Sequence, residues 1–190
     1  YIRNAFASHE VVTLLDLIDL IKKGIVELKK KFSFFEKQSL TLFLNPFTSL
    51  QVVQEDHDVI YYSEKFEFAA MHKLWNDDFS AEENFKAFGK CAHPAGHGHN
   101  YIIEVFLKLE QQQCNSGLIS SFEKTVKENF LDFVDHKNLN VDIQEFQRYN
   151  PTVENIAQYA WECLNGKFEI GEIHKITVWE NDRTCCTIMD

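Results

Sequence analysis

Apolar side chains recur at Val11, Leu14, Leu15, Ile18, Ile21, Ile25 and Leu28. That spacing is close to the helical repeat and predicts an amphipathic helix over residues 11–31, with Ser8 as a candidate cap. The period then shortens. Leu40, Leu42 and Leu44 take alternate positions, Asn45-Pro46 marks a turn, and residues 50–53 resume an extended pattern, which predicts a hairpin. Residues 59–71, rich in aromatic and β-branched side chains, read as a strand running into His72. Residues 76–90 are polar and read as a connection. Residues 101–109 alternate again, and residues 120–133 set Phe122, Val126, Phe130 and Phe133 on one helix face. A second helix is expected from Pro151, an early helix position, to about Leu164, and residues 173–189 close the chain as another hairpin. The main unit is therefore ββααββ, in an α+β chain.

The opening segment echoes the closing one. At an offset of 136 residues, 40–48 (LTLFLNPFT) lies over 176–184 (ITVWENDRT), and a long helix precedes each. Residues 1–55 read as a helix-hairpin extension, the second half of a diverged copy of the main unit, and residues 56–190 as the principal domain. The alternative is an unrelated extension. Leu44 falls where Glu180 stands, so the earlier copy has lost that carboxylate.

Composition narrows the class. With 45% hydrophobic residues in a chain of 190, a substantial core is available. A net charge of −10 argues against a broad nucleic-acid surface, which needs clustered Lys and Arg to displace counterions. Asp16, Asp19, Lys22 and Lys23 interrupt the longest apolar stretch, so no membrane span is expected. Five cysteines, an odd number without scaffold spacing, point to a reducing, cytoplasmic setting. Beginning at Tyr1 without a signal-peptide pattern, the chain reads as a processed or partial copy of a longer one.

The chemistry concentrates in residues 91–101 (CAHPAGHGHNY), which set a thiol, three imidazoles and two glycines before a strand. His97 and His99, two apart in extended backbone, project from one face and can share a metal ion. His72, ending a strand able to pair antiparallel with 101–109, is the candidate third ligand. Three neutral imidazoles suit zinc with one position left open. His93 is read as a non-ligand. Cys91 has three readings: a fourth ligand, a buried structural thiol, or a base whose thiolate a nearby cation favours. Asp135-His136 supplies an acid that can orient an imidazole for proton relay.

Taken together, residues 66–186 resemble the 6-pyruvoyl-tetrahydropterin synthase family. The resemblance rests on 68–74 (FAAMHKL), Glu82-Glu83-Asn84, 88–91 (FGKC), 96–101 (GHGHNY), 135–140 (DHKNLN), 151–155 (PTVEN) and the strand carrying Glu180. It implies a tunnelling fold (T-fold), a four-stranded antiparallel sheet with two helices on one face, whose copies join into a homo-oligomer, a trimer or hexamer. It also implies that His72, His97 and His99 bind Zn2+, that Cys91, Asp135 and His136 are catalytic, and that Glu180 and Thr152 hold the substrate. The implied reaction converts 7,8-dihydroneopterin triphosphate to 6-pyruvoyl-tetrahydropterin with loss of triphosphate, Lys73, Lys90 and Lys137 being neighbours for the phosphates. Alternatives are 6-carboxy-tetrahydropterin synthase of deazapurine biosynthesis, and a non-catalytic zinc or pterin-binding module. Five residues between Cys91 and His97 resemble the pyruvoyl enzymes.

Overall fold

A computed structural model describes residues 13–32, 39–53 and 56–190, with the backbone alone at 56–58. Helix α1 (Leu14–Lys31) starts at Thr13, whose hydroxyl accepts from the Asp16 backbone N–H while the Asp16 carboxylate accepts from the Thr13 N–H. This reciprocal cap, worth about 1 kcal/mol, sets the helix start at Leu14. The expected cap Ser8 lies outside the described residues. Ile18, Ile21 and Ile25 form the buried stripe.

Strands β1 (Ser39–Phe43) and β2 (Thr48–Val53) form the expected hairpin. Its turn is held by Asn45, whose side-chain carbonyl accepts from the Phe47 and Thr48 N–H groups. Strand β3 (Asp56–His72) reaches His72 as expected. The connection after it is not irregular throughout. It contains helix α2 (Ala81–Phe88), capped by Ser80 and Glu83, then a 3₁₀ turn (Gly89–Ala92) carrying Cys91. Strand β4 (His97–Glu110) follows.

Helix α3 (Leu118–Val126) widens into a π-helical segment (Lys127–Leu131) and ends in a last turn (Asp132–Val134). The cause is visible in the spacing. Phe122, Val126, Phe130 and Val134 are all buried four apart, which overruns a 3.6-residue period, and a wider turn restores them to one face. Phe133, expected on that face, is 53% exposed for the same reason. After the two-residue strand β5 (Lys137–Asn138), helix α4 (Val153–Leu164) is capped by Thr152, so Pro151 stands just outside the helix rather than in its first turn. Strands β6 (Glu172–Asn181) and β7 (Thr184–Met189) finish the chain.

The sheet order is β1-β2-β3-β4-β6-β7, antiparallel along this path, with β5 added parallel to the end of β3 at Ala70 and Met71. The four-stranded tunnelling-fold sheet is thus extended by the first hairpin. That hairpin is not a separate body. Ile18, Ile21, Ile25, Leu50 and Val52 join one continuous core with Phe122, Val126, Ile156 and Ile176. On the helix-free face Ser49 and Ser63 are hydrogen-bonded at 2.8 Å, and Ser63 donates to Glu104 across the next strand.

Candidate metal centre and active site

The β3–β4 register assembles the cluster. His72 lies directly opposite His97, and Ala70 lies opposite His99. Cross-strand partners share a face, and so do residues two apart, so the three imidazoles converge on one side of the sheet. Their ring centroids are 4.5–5.0 Å apart. The Nε2 atoms of His72 and His97 are 3.0 Å apart, and the Cys91 Sγ is 3.2 Å from His97 Nε2. All four residues offer a donor atom within 4.8 Å of one another.

Three observations fit this set to a metal ion. His72 Nδ1 lies 2.8 Å from the Pro151 carbonyl, which accepts its proton and leaves Nε2 as a lone pair facing the cluster. The buried His99 Nε2 has no hydrogen-bond partner. Burial, reinforced at His97 by His99, pushes the His72 and His97 imidazoles below their ordinary value, so both are neutral and able to ligate near pH 7. Nitrogen and sulfur donors at this spacing suit zinc. His93 is exposed and accepts from the Ala95 N–H, apart from the cluster.

Glu180, at the end of β6, points its Oε1 to 3.7 Å from His72 Nε2 and 3.6 Å from His99 Nε2, and is 15% exposed. Burial and then the Glu180 carboxylate raise the Cys91 thiol above its ordinary value. A cation held by the imidazoles acts in the opposite sense on the thiol.

Three asparagines hold the chain where β3 leaves the sheet. Asn140 accepts from the Lys73 N–H and donates to its carbonyl; Asn150 does the same at Trp75. Asn84, fully buried, accepts from the Asn76 N–H and donates to the carbonyls of Asn76, Phe79 and Ser80. Between these clamps the Leu74 N–H donates to the Cys91 carbonyl at 2.8 Å, tying the thiol segment to the His72 strand. Sequence reasoning missed this role. Its only signal was that Asn84 and Asn140 stood in the quoted motifs with no work assigned.

Gly96 has φ +69, and a Cβ there would lie 2.8 Å from the His72 carbonyl oxygen, so the turn before β4 closes tightly on the ligand strand. An open cavity of about 610 Å3 beside His97 is lined by Phe85, Gly89, Lys90, His93 and Gly96, a volume suited to a small ligand. Lys90 is therefore beside the cluster. Lys73 instead stacks over Trp75 at 4.2 Å, and Lys137 lies in β5.

Asp135 and His136 are placed apart from the cluster. They sit at the outer edge of β3, where Asp135 Oδ1 accepts from the Ala69 N–H, and His136 Nδ1 lies 2.9 Å from Asp135 Oδ2. His136 takes a left-handed conformation, φ 58, and its side chain is 82% exposed. Burial raises the Asp135 carboxyl, but the bonds from Ala69 and His136 outweigh it and hold the group below its ordinary value. No hydrogen bond or ion pair among the described residues joins this pair to Cys91. Thr152 accepts from the Asn155 N–H as the cap of α4, next to the Pro151 carbonyl that orients His72.

The fold recurs in known proteins. The chain is 36% identical over 122 residues to the 6-pyruvoyl tetrahydrobiopterin synthase of Homo sapiens, covering 63% of this chain and 84% of that one. It is 37% identical over 123 residues to a protein of Caenorhabditis elegans described as a putative 6-pyruvoyl tetrahydrobiopterin synthase, with 63% and 87% covered. The solved structure of Caenorhabditis elegans 6-pyruvoyl tetrahydropterin synthase superposes with a TM-score of 0.63 at 30% identity, over 70% of this chain and 96% of that one. Residues 61–190 match the family described as 6-pyruvoyl tetrahydropterin synthase, and with the imidazole cluster at the head of β4 in place, this chain belongs to that family.

Proposed function

We propose that this protein is a zinc-dependent lyase that converts 7,8-dihydroneopterin triphosphate to 6-pyruvoyl-tetrahydropterin and expels triphosphate. The observation that carries the reading is the convergence of His72, His97, His99 and Cys91 within 4.8 Å, with the Glu180 carboxylate at the rim. His72, His97 and His99 would hold the zinc ion, which when bound would supply Lewis-acid polarisation of the substrate side-chain hydroxyls.

The chain's own groups do the rest. Glu180 accepts two parallel hydrogen bonds from the amino-pyrimidinone edge of the pterin and fixes the ring in one orientation. Thr152 is a second pterin contact, and Lys90 faces the cavity in which the phosphates lie. The Cys91 thiolate takes a proton from substrate carbon, and His136, oriented by Asp135, returns one. Because His136 is exposed at a sheet edge, we place it in the active site of a neighbouring copy, which makes the homo-oligomer, a trimer or hexamer, part of the catalytic design. No described helix is long and apolar enough to cross a membrane, and the five cysteines are unpaired, which suits a reducing cytoplasm.

The test is product identification by mass spectrometry after zinc-loaded protein meets 7,8-dihydroneopterin triphosphate, with Cys91→Ala as control. A pyruvoyl product that disappears in the control supports the proposal. A carboxy product moves the chain to deazapurine chemistry on the same site. No product from folded, zinc-replete protein reduces it to a binding module.

A further inference from the structure

Asn155, Gln158, Tyr159 and Glu162 stand at i, i+3, i+4 and i+7 along α4, on a face beside its buried stripe. Polar residues at that spacing ordinarily form a solvated helix face. Here the chain entering the helix folds over them. A 3₁₀ turn (Glu145–Gln147) and Tyr149 supply a second wall, and the two walls bound a cavity of about 270 Å3. That volume is below the roughly 300–1,000 Å3 of a drug-sized site and holds one long side chain or a small organic ion. None of His72, Cys91, His97, His99 and Glu180 lines it, so it is distinct from the metal centre.

The lining selects a ligand by charge and by shape. Glu145 and Glu162 bring two carboxylates, and no Lys or Arg lines the cavity. Neither carboxylate has an ion-pair partner among the described residues. Gln158 Nε2 donates to Glu162 Oε1 at 2.7 Å, which steadies that carboxylate and leaves its second oxygen free. Asn155 Nδ2 donates to the Asn150 carbonyl at 2.8 Å, so its remaining side-chain atom is an acceptor. The other lining is aromatic. Phe146 is buried, its ring centroid is 5.3 Å from that of Tyr159, and Tyr159 is backed by the core ring of Phe130 at 6.2 Å. Tyr149 adds a third, exposed ring. Burial first, then Cys163 and Glu145, raise the Tyr159 hydroxyl above its ordinary value, which puts the Glu145 carboxylate within electrostatic reach of that ring. Anionic acceptors beside aromatic faces suit a flat, weakly hydrated cation that stacks on a ring while its N–H groups reach the carboxylates. A guanidinium has those properties, whereas an ammonium is strongly hydrated and has no plane to stack.

We propose that this cavity is a second binding site, which takes a guanidinium group between the carboxylates of Glu145 and Glu162 and the rings of Phe146, Tyr149 and Tyr159. The group belongs either to an arginine side chain or to a free small cation. The segment joining the two walls contains Pro151, whose carbonyl orients His72, so the site adjoins the metal centre through backbone without sharing a residue with it.

Isothermal titration of the zinc-loaded protein, with no pterin present, decides it independently of the proposed reaction. The probes are N-acetyl-arginine amide, ethylguanidinium and N-acetyl-lysine amide. The expected result is saturable binding of the arginine probe with a Kd on the order of 1 mM. Binding should weaken about tenfold in Glu145→Gln and in Glu162→Gln, and about fivefold in Tyr149→Ala. Glu162 and Tyr149 are exposed, so their variants keep the fold. Glu128→Gln removes the same charge from the exposed π-helical segment and should leave binding unchanged. The lysine probe should bind about fivefold more weakly than the arginine probe. Ethylguanidinium binding within about tenfold of the arginine probe supports the site as one for a free small cation, and weaker binding than that supports it as one for a polypeptide side chain. No saturation in the wild type, equal affinity for the lysine probe, or unchanged affinity in both Gln variants at the site overturns the proposal. A loss in Glu128→Gln as large as theirs overturns it too, because general attraction by a chain of net charge −10 then accounts for the binding.

Discussion

Alanine at Gly96 tests whether the turn before β4 holds the ligand strand in place. The backbone there has φ +69, and the added Cβ would meet the His72 carbonyl oxygen at 2.8 Å and its carbon at 3.4 Å. Two costs add. The left-handed conformation costs an L-residue about 1–2 kcal/mol, and crowding a backbone that cannot rotate away costs about 1–3 kcal/mol more. Gly166 is the internal control, because its φ is +71 with nothing within 4 Å of a Cβ, so Gly166→Ala pays only the first. For a chain of this length 1 kcal/mol moves Tm by about 2–4 °C. Gly166→Ala should therefore lower Tm by about 4 °C and Gly96→Ala by about 10 °C in parallel thermal melts. Zinc affinity, read by competition with a chromogenic chelator, should fall about tenfold or more in Gly96→Ala alone, as when a supporting contact of a ligand is lost. Equal melting shifts, or an unchanged zinc affinity, would refute the claim that contact with His72 limits this turn.

Two further outcomes are expected. Asn84→Ala removes one acceptor and the donor to three carbonyls at a fully buried position, a loss of about 2–3 kcal/mol that should lower Tm by about 6–9 °C; a shift under about 2 °C would show the clamp to be dispensable. Glu64 is raised above the ordinary carboxylate range, first by burial and then by the neighbouring Glu123, against the lowering bond from Tyr62. The folded state therefore holds this proton more tightly than the unfolded state, and ionising the group costs stability at pH values above that range. Glu64→Gln should raise Tm at pH 8, and the advantage should fade as pH falls toward the ordinary carboxylate value of 4.5. Melts across that range that show no gain at pH 8, or a gain that grows on acidification, would contradict the assignment.

Much of the candidate site is legible along the chain because its spacing is local. The HxH pair at the head of a strand places His97 and His99 on one face whatever the rest of the fold does. His72 as third ligand needed one long-range guess, that its strand runs antiparallel to β4, and the His72↔His97 pairing meets it. The clamps by Asn84, Asn140 and Asn150 and the orienting carbonyl of Pro151 were not legible. Each depends on a side chain reaching backbone that leaves the sheet, and that produces no periodicity. The acid-base pair shows the opposite limit. Its adjacency in sequence predicts the Asp135–His136 contact, but not that β5 would carry it along the outer edge of β3, away from Cys91.

Element type follows from steric and hydrophobic periods within a few residues, so the sequence alone determines helices α1, α3 and α4, both hairpins and the ββααββ order of the main unit. Helix α2 escaped although Ser80 and Glu83 form a capping-box pattern and Ala81, Phe85 and Phe88 keep helical spacing, because it is only eight residues long, lies in a polar stretch and buries only Asn84. The shift of Phe133 to solvent escaped because a π-turn changes phase only when the four-residue spacing must meet a real core. Tertiary structure alone decided which edge of the sheet the first hairpin joins, that its isoleucines share the main core, and that five strand pairs repeat at one offset. Pairing across a sheet is chosen by which apolar faces become buried together, a comparison among distant segments that no local window of sequence contains.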